Sequence, residues 1–130
     1  MRGKTVVVVP TGTANLASVL AGLERAGGRP VVAREYADIS EAPRLVLPGV
    51  GSFGAAVSKL RSSGAWNAIA RYLNKGRPTL AICLGLQLLC TGSEESPGIE
   101  GFGFFDAHVG RFPRGLRVPH MGWNTVEPDG

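Results

Sequence analysis

Chemistry in this chain centres on Cys83, in the stretch Ala81-Ile82-Cys83-Leu84-Gly85. An apolar run ends at the cysteine, and a second apolar run with a different period follows it. A strand, a sharp turn and a helix with small neighbours make a nucleophile elbow, the G-x-S-x-G arrangement with sulfur in place of oxygen. Such a turn lifts its side chain to the top of a sheet. The amide of Leu84 then points toward a developing oxyanion, and Gly85 lets helix and strand approach closely. The other reading of Cys83 is a small core residue, as free cysteines often are. The local pattern favours neither. Cys90, beside Leu88 and Leu89, reads as core packing.

A second stretch bears on the same chemistry. Gly49, Gly51 and Gly54 match G-x-G-x-x-G after an apolar run and before a helical one. That is the dinucleotide fingerprint, but it requires an acidic residue at the end of the next strand to hold the ribose. The next strand here ends at Cys83 with no acid nearby, so no cofactor is expected. The better use of the loop is a second oxyanion amide, from Val50 or Gly51, beside Leu84. A thiol nucleophile also needs a base. The two histidines, His108 and His120, lie in the loop-rich second half without an orienting acid. Both read as ordinary surface or core histidines. No Cys/His cluster has metal spacing, and no metal is expected.

The elements that must position these residues follow from hydrophobic periodicity. Thr5–Val9 is a β-branched run of the kind buried on both faces. Thr13 caps a helix running to Gly27, with Leu16, Val19, Leu20 and Leu23 on one face. Strands are predicted over Pro30–Ala33, Arg44–Leu47 and Thr79–Ile82. Helices are predicted over Phe53–Leu60 and Ala65–Asn74, with another opening over Leu86–Cys90. Alternating strands and helices predict an α/β, doubly wound, mostly parallel sheet with helices on both faces, as one domain over residues 1–130. After Gly92 the texture turns to glycine, proline and aromatics. Short strands and turns are predicted there, antiparallel and added to the sheet edge. About four parallel strands is few for such a sheet, so an open edge, uncovered apolar faces and self-association are expected.

Composition narrows the class of function. The chain has 130 residues, 44% apolar and 18% charged, as in ordinary globular domains. Its net charge of +4 raises nucleic acid as a partner, but its eleven arginines and three lysines are scattered along the chain. The local cluster Arg111, Arg114 and Arg117 reads as a solvated loop. Nothing reaches transmembrane length. Two cysteines make no disulfide framework, so a reducing cytoplasm is expected.

Three motifs together, "LPGVGSFG", "AICLGLQLLCTGSEE" and "VPHMGWN", resemble the glutamine amidotransferase subunit of imidazole glycerol phosphate synthase, a triad (class I) family of histidine biosynthesis. The resemblance runs from Val6 to Val126 and implies a flavodoxin-like fold. It makes Cys83 the nucleophile toward the glutamine side-chain amide, with Val50 and Leu84 giving the oxyanion amides. It places Gly49, Gly51, Gln87 and Glu95 around the glutamine pocket. It turns Met121, Trp123 and Asn124 toward a (β/α)₈ barrel synthase subunit that receives ammonia. Without the family, Trp123 reads equally well as core. Departures are present. "VPTGTANL" keeps only Gly12, Asn15 and Leu16 of the family's first loop, and Ala81 replaces a glycine two residues before the nucleophile. The family's histidine-x-glutamate motif is absent from residues 1–130. The resemblance therefore implies a chain lacking its C-terminal part, with little or no glutaminase activity of its own. Two alternatives follow: an interaction module for the synthase subunit, and a related hydrolase with His120 recruited as base.

Overall fold

The computed structural model describes residues 3–12 and 15–129. Four strands form one parallel sheet: β1 (Lys4–Val8), β2 (Gly28–Val32), β3 (Leu45–Leu47) and β4 (Thr79–Ala81), in the order β2-β1-β3-β4. The register runs Val8 to Val32, Val8 to Val46, and Leu47 to Ala81. Helices α1 (Leu16–Arg25), α3 (Phe53–Ser62), α4 (Ala65–Asn74) and α5 (Leu84–Leu88) connect or follow these strands, and α2 (Tyr36–Ser40) precedes β3. The α/β parallel architecture expected from the alternation is what forms.

Side chains of a strand alternate between its two faces, and β1 shows the result. Val7 and Val9 join a large core with Leu45, Leu47, Phe53, Leu60, Ile69 and Tyr72, under α3 and α4. Val6, Val8 and Val46 face the other way, where Leu16, Val19, Leu20 and Leu23 of α1 cover them. The amphipathic face read for α1 is therefore the packed one. Its N-cap is Asn15, whose side chain accepts from the Ser18 amide; Thr13, expected as the cap, lies outside the described residues.

Several expectations need correction. The second strand begins at Gly28, ahead of Pro30, and ends at Val32. Ala33 N–H donates to Val8 O, so residues 29, 31 and 33 turn their nitrogens toward β1. Pro30 turns its nitrogen to the open edge, where a missing N–H costs no ladder bond. Helix α5 starts at Leu84 and spans Leu84–Leu88, where a helix opening over Leu86–Cys90 was expected. Helix α2 gave no periodic signal because one residue, Ile39, is its buried contact. It is nucleated instead by Asp38, whose carboxylate accepts from the Arg34 and Glu35 amides and is held below the usual carboxylate pKa by them.

The expected antiparallel addition to the sheet edge does not form. Strands β5 (Gly92–Ser93) and β6 (His108–Val109) pair with each other in parallel, as a separate two-stranded sheet. Residues 110–129 contain no helix or strand and are exposed throughout. Their prolines and glycines interrupt any alternation that could pair or bury a strand.

The two faces of the sheet are unequally covered. Leu80 pairs with Val46 and so faces the α1 side, yet it is 52% exposed because α1 sits over β1. Ile82 is also exposed. Strand β4 is thus an unprotected edge with an apolar side chain beside it. The chain should self-associate in a concentration-dependent way by light scattering. Leu80→Lys should shift it toward monomer while its far-UV circular dichroism persists. A wild-type chain that stays monomeric at high concentration contradicts this.

Candidate functional site

The site lies where parallel sheets place ligands, at the carboxyl ends of the strands. Strand β3 leads through Pro48–Ser52 into α3, and its neighbour β4 leads through Ile82 and Cys83 into α5. Main-chain bonds tie the two exits together: Ile82 N–H donates to Leu47 O at 3.0 Å, and Leu84 N–H donates to Gly49 O at 3.2 Å. Two glycines permit this closeness. A Cβ on Gly85 would overlap the Leu47 carbonyl, and one on Gly49 would lie 3.1 Å from the Leu84 Cβ.

Cys83 sits on a tight turn closed by Gly85 N–H donating to Ile82 O at 2.9 Å. Its φ of 54° and ψ of −114° match the first central position of a type II′ turn, where glycine is favoured. Among the described residues it is the single non-glycine with positive φ. The thiol is exposed. A core cysteine needs neither the strain nor the exposure, so the core reading of Cys83 is discarded. Cys90 is half-buried, with its Sγ 3.9 Å from Leu86 O, which departs from the fully packed position expected of it.

The remaining candidate residues fall into three groups. Gly49 is buried, while Val50 and Gly51 are exposed on the loop facing the elbow. Leu84 is buried, and its amide is engaged with Gly49 O, so it does not stand free toward an oxyanion. Gln87 is half-buried on α5, one turn after the cysteine, with its amide donating to Cys83 O at 3.3 Å. Glu95 is brought to the same end of the sheet. Its Oε2 accepts from the Phe53 amide at 3.5 Å, at the first turn of α3.

Met121, Trp123 and Asn124 lie away from any packed element. Trp123 is fully exposed and Met121 is 85% exposed, so the core reading of Trp123 is also discarded. His120 is exposed on the same segment. His108 packs its ring against Gly92 on the small sheet. Among the described residues no imidazole or carboxylate hydrogen-bonds the Cys83 thiol, and no group of three or more His, Cys, Asp or Glu is placed to hold a metal ion. Nor is any described helix long and apolar enough to cross a membrane.

Sequence reasoning missed the serines around Glu95. Ser93 is buried and its Oγ accepts from the Glu95 amide at 3.2 Å; Ser96 Oγ accepts from the Gly54 amide at 3.0 Å. The partners lie 42 residues apart in sequence, and no local pattern marks such a pairing.

The structure thus presents an exposed cysteine on a strained strand-to-helix turn at the end of a parallel sheet, beside a glycine loop, which is the backbone shape of a nucleophile elbow. A sequence model of the CobB/CobQ-like glutamine amidotransferase domain matches residues 19–114, and the chain belongs to that glutamine amidotransferase family. It is 49% identical over 121 residues to the imidazole glycerol phosphate synthase subunit HisH of Thermococcus kodakarensis, covering 93% of this chain and 58% of that protein. It is 43% identical over 122 residues to the subunit of the same name from Methanopyrus kandleri, covering 94% and 60%. The chain thus spans about three fifths of the length of these relatives. Among solved structures, one described as a glutamine amidotransferase superposes with a TM-score of 0.68 at 22% identity, covering 86% of this chain and 59% of that one. A putative peptidase E protein from Listeria monocytogenes superposes with a TM-score of 0.64 at 14% identity, covering 81% and 64%. These superpositions bear on the fold alone, and they agree with the flavodoxin-like sheet order.

The strained turn yields a prediction about stability. A non-glycine residue in this region costs on the order of 1–3 kcal/mol. The exposed Cys83 side chain offsets little of that by burial. Cys83→Gly should therefore raise the urea midpoint, by about 1 kcal/mol of stability at unchanged m-value. A lower midpoint would mean that the thiol contributes packing and not strain.

Proposed function

We propose that this chain carries the nucleophilic part of a glutaminase site serving the synthesis of imidazole glycerol phosphate in histidine biosynthesis. The Cys83 sulfur attacks the carbonyl carbon of the glutamine side-chain amide, giving a tetrahedral oxyanion. Collapse breaks the C–N bond, and ammonia leaves with a proton from a general acid. The γ-glutamyl thioester that remains is hydrolysed by water to glutamate, which regenerates the thiol. The single observation behind this reading is the Cys83 turn, which spends backbone strain on exposing one thiol at the mouth of the sheet.

In this reading the amides of Val50 and Leu84 hold the oxyanion. Leu84 can serve only by exchanging its present bond to Gly49 O for one to the substrate. Gly49, Gly51, Gln87 and Glu95 surround the bound glutamine. Ammonia passes to a (β/α)₈ barrel synthase subunit in a cytoplasmic heterodimer. Trp123 anchors the dock with Met121 and Asn124 beside it. A fully exposed tryptophan supports an interface role, since such residues dominate the energetics of protein contacts.

The proton-transfer partners are the weak side of the 130-residue chain. General acid–base groups supply about 100- to 10,000-fold in rate, and neither histidine bonds to Cys83. Glutaminase turnover by this chain should therefore fall at least about 100-fold below that of a full-length relative. A rate within tenfold of the relative would refute that.

The nucleophile assignment is tested separately, by covalent labelling. A glutamine-like chloroketone should modify Cys83 in preference to Cys90, and peptide mass analysis should locate the adduct. Glutamine should slow the reaction, and Cys83→Ala should abolish it. Equal modification of both cysteines, indifferent to glutamine, would sink the assignment.

A further inference from the structure

The first turn of α3 leaves three amides to be satisfied, and side chains take all of them. Phe53 N–H donates to Glu95 Oε2 at 3.5 Å, Gly54 N–H to Ser96 Oγ at 3.0 Å, and Ala55 N–H to the N-cap Ser52 Oγ at 3.4 Å. Helix termini normally satisfy such groups from their own cap or from water. Here two of the three acceptors come from the turn after β5, 42 residues away in sequence. The fit is close on both sides: a Cβ on Gly54 would lie 3.0 Å from the Ser96 hydroxyl, so residue 54 must be small for residue 96 to reach its amide. This gives Gly54 a reason unconnected with any dinucleotide.

The loop whose end is gripped is Gly49–Ser52, which faces Cys83. Its other end is continuous with β3, and β3 is fixed in register against β4. The placement of Val50 relative to the thiol is therefore set by β3 on one side and by the start of α3 on the other. The two external acceptors are unequal. The Glu95 contact is the longer, and Glu95 as a residue is exposed. The Ser96 contact is the shorter, and Ser96 is half-buried.

We infer that Ser96 is a positioning residue for the oxyanion loop, holding the start of α3 through Gly54 so that Glu95 is free to turn from Phe53 to a bound substrate. The inference rests on the glutaminase reading of Cys83, and a carboxylate that leaves an amide for an ammonium group exchanges one charge-assisted bond for a stronger one. Without Ser96, substrate binding by Glu95 would leave the first turn of α3 uncapped from outside and the loop free to shift.

The test uses the 130-residue chain, with two readouts. Amide hydrogen exchange at Gly54 should quicken about fivefold in Ser96→Ala, the size expected for loss of one hydrogen bond, and return in Ser96→Thr. The rate of Cys83 modification by the glutamine-like chloroketone, divided by its rate with iodoacetamide, should fall by a similar factor in Ser96→Ala and recover in Ser96→Thr. Iodoacetamide develops no oxyanion, so a general loosening would change both rates together and leave the ratio alone. If the wild-type chain shows the chloroketone preference but the ratio is unchanged in Ser96→Ala, the positioning role is wrong and the glutaminase reading stands. If the wild-type chain shows no preference at all, the glutaminase reading falls and takes this role with it. Unchanged exchange at Gly54 overturns the clamp itself.

Discussion

Nothing larger than hydrogen fits on residue 85, because a Cβ there would meet the Leu47 carbonyl. The rest of the site depends on this contact. It lets the start of α5 lie directly against the end of β3, and so brings two chain exits, each on its own strand, within hydrogen-bonding distance. Once they are that close, Leu84 N–H meets Gly49 O, and the loop after β3 is held beside Cys83. With a methyl group in between, the turn would have to back away from the sheet. The cysteine would then be an exposed side chain on a turn no longer tied to the loop after β3.

The second requirement is the shape of the turn. A type II′ geometry at Cys83 aims the side chain out of the sheet, away from the core beneath it, and a non-glycine residue pays for that in strain. The core below offsets the cost. Leu84 and Leu88 on α5 join Leu47, Phe53 and Val57 in one cluster with almost no exposure. The helix is short, five residues, and has little stability of its own. Its position comes from burial of those leucines, and the turn ahead of it is held in an unfavourable conformation by that packing.

Much of this was legible in the sequence, and the divide follows the range of the interactions. The β-branched run of β1, the apolar face of α1 and the alternation of apolar runs are written in neighbouring residues, so strand and helix alternation and sheet type could be read directly, whereas the local pattern around Cys83 left core and nucleophile readings equal. Helix α2 could not be read, because one buried isoleucine makes no period. Strand β2 starts two residues ahead of the expected Pro30, because the proline nitrogen faces an open edge and the strand runs through it. The Ser96–Gly54 bond and the Leu84–Gly49 bond were illegible for a deeper reason. Both join segments far apart in the chain, and which atoms meet is decided by strand order and register. Exposure of Trp123 was undecidable from composition, since tryptophan is largely buried on average.

The contacts around the site close into a ring. Strand β4 leads to Cys83 and α5; the turn after the following short strand β5 carries Glu95 and Ser96 to the start of α3; the loop ahead of α3 returns to β3; and β3 is paired with β4. A ring of this kind restrains every member from two sides, which is how short elements hold a geometry that none could hold alone. It also explains why the less covered face of the sheet does not disturb the site. Leu80 and the α1 side lie across the sheet from the large core, whereas β3, α3 and α5 are anchored in that core through Leu47, Phe53, Leu84 and Leu88. The geometry of the Cys83 turn therefore depends on the α3–α4–α5 side, and what covers the opposite face bears on association more than on the position of Cys83.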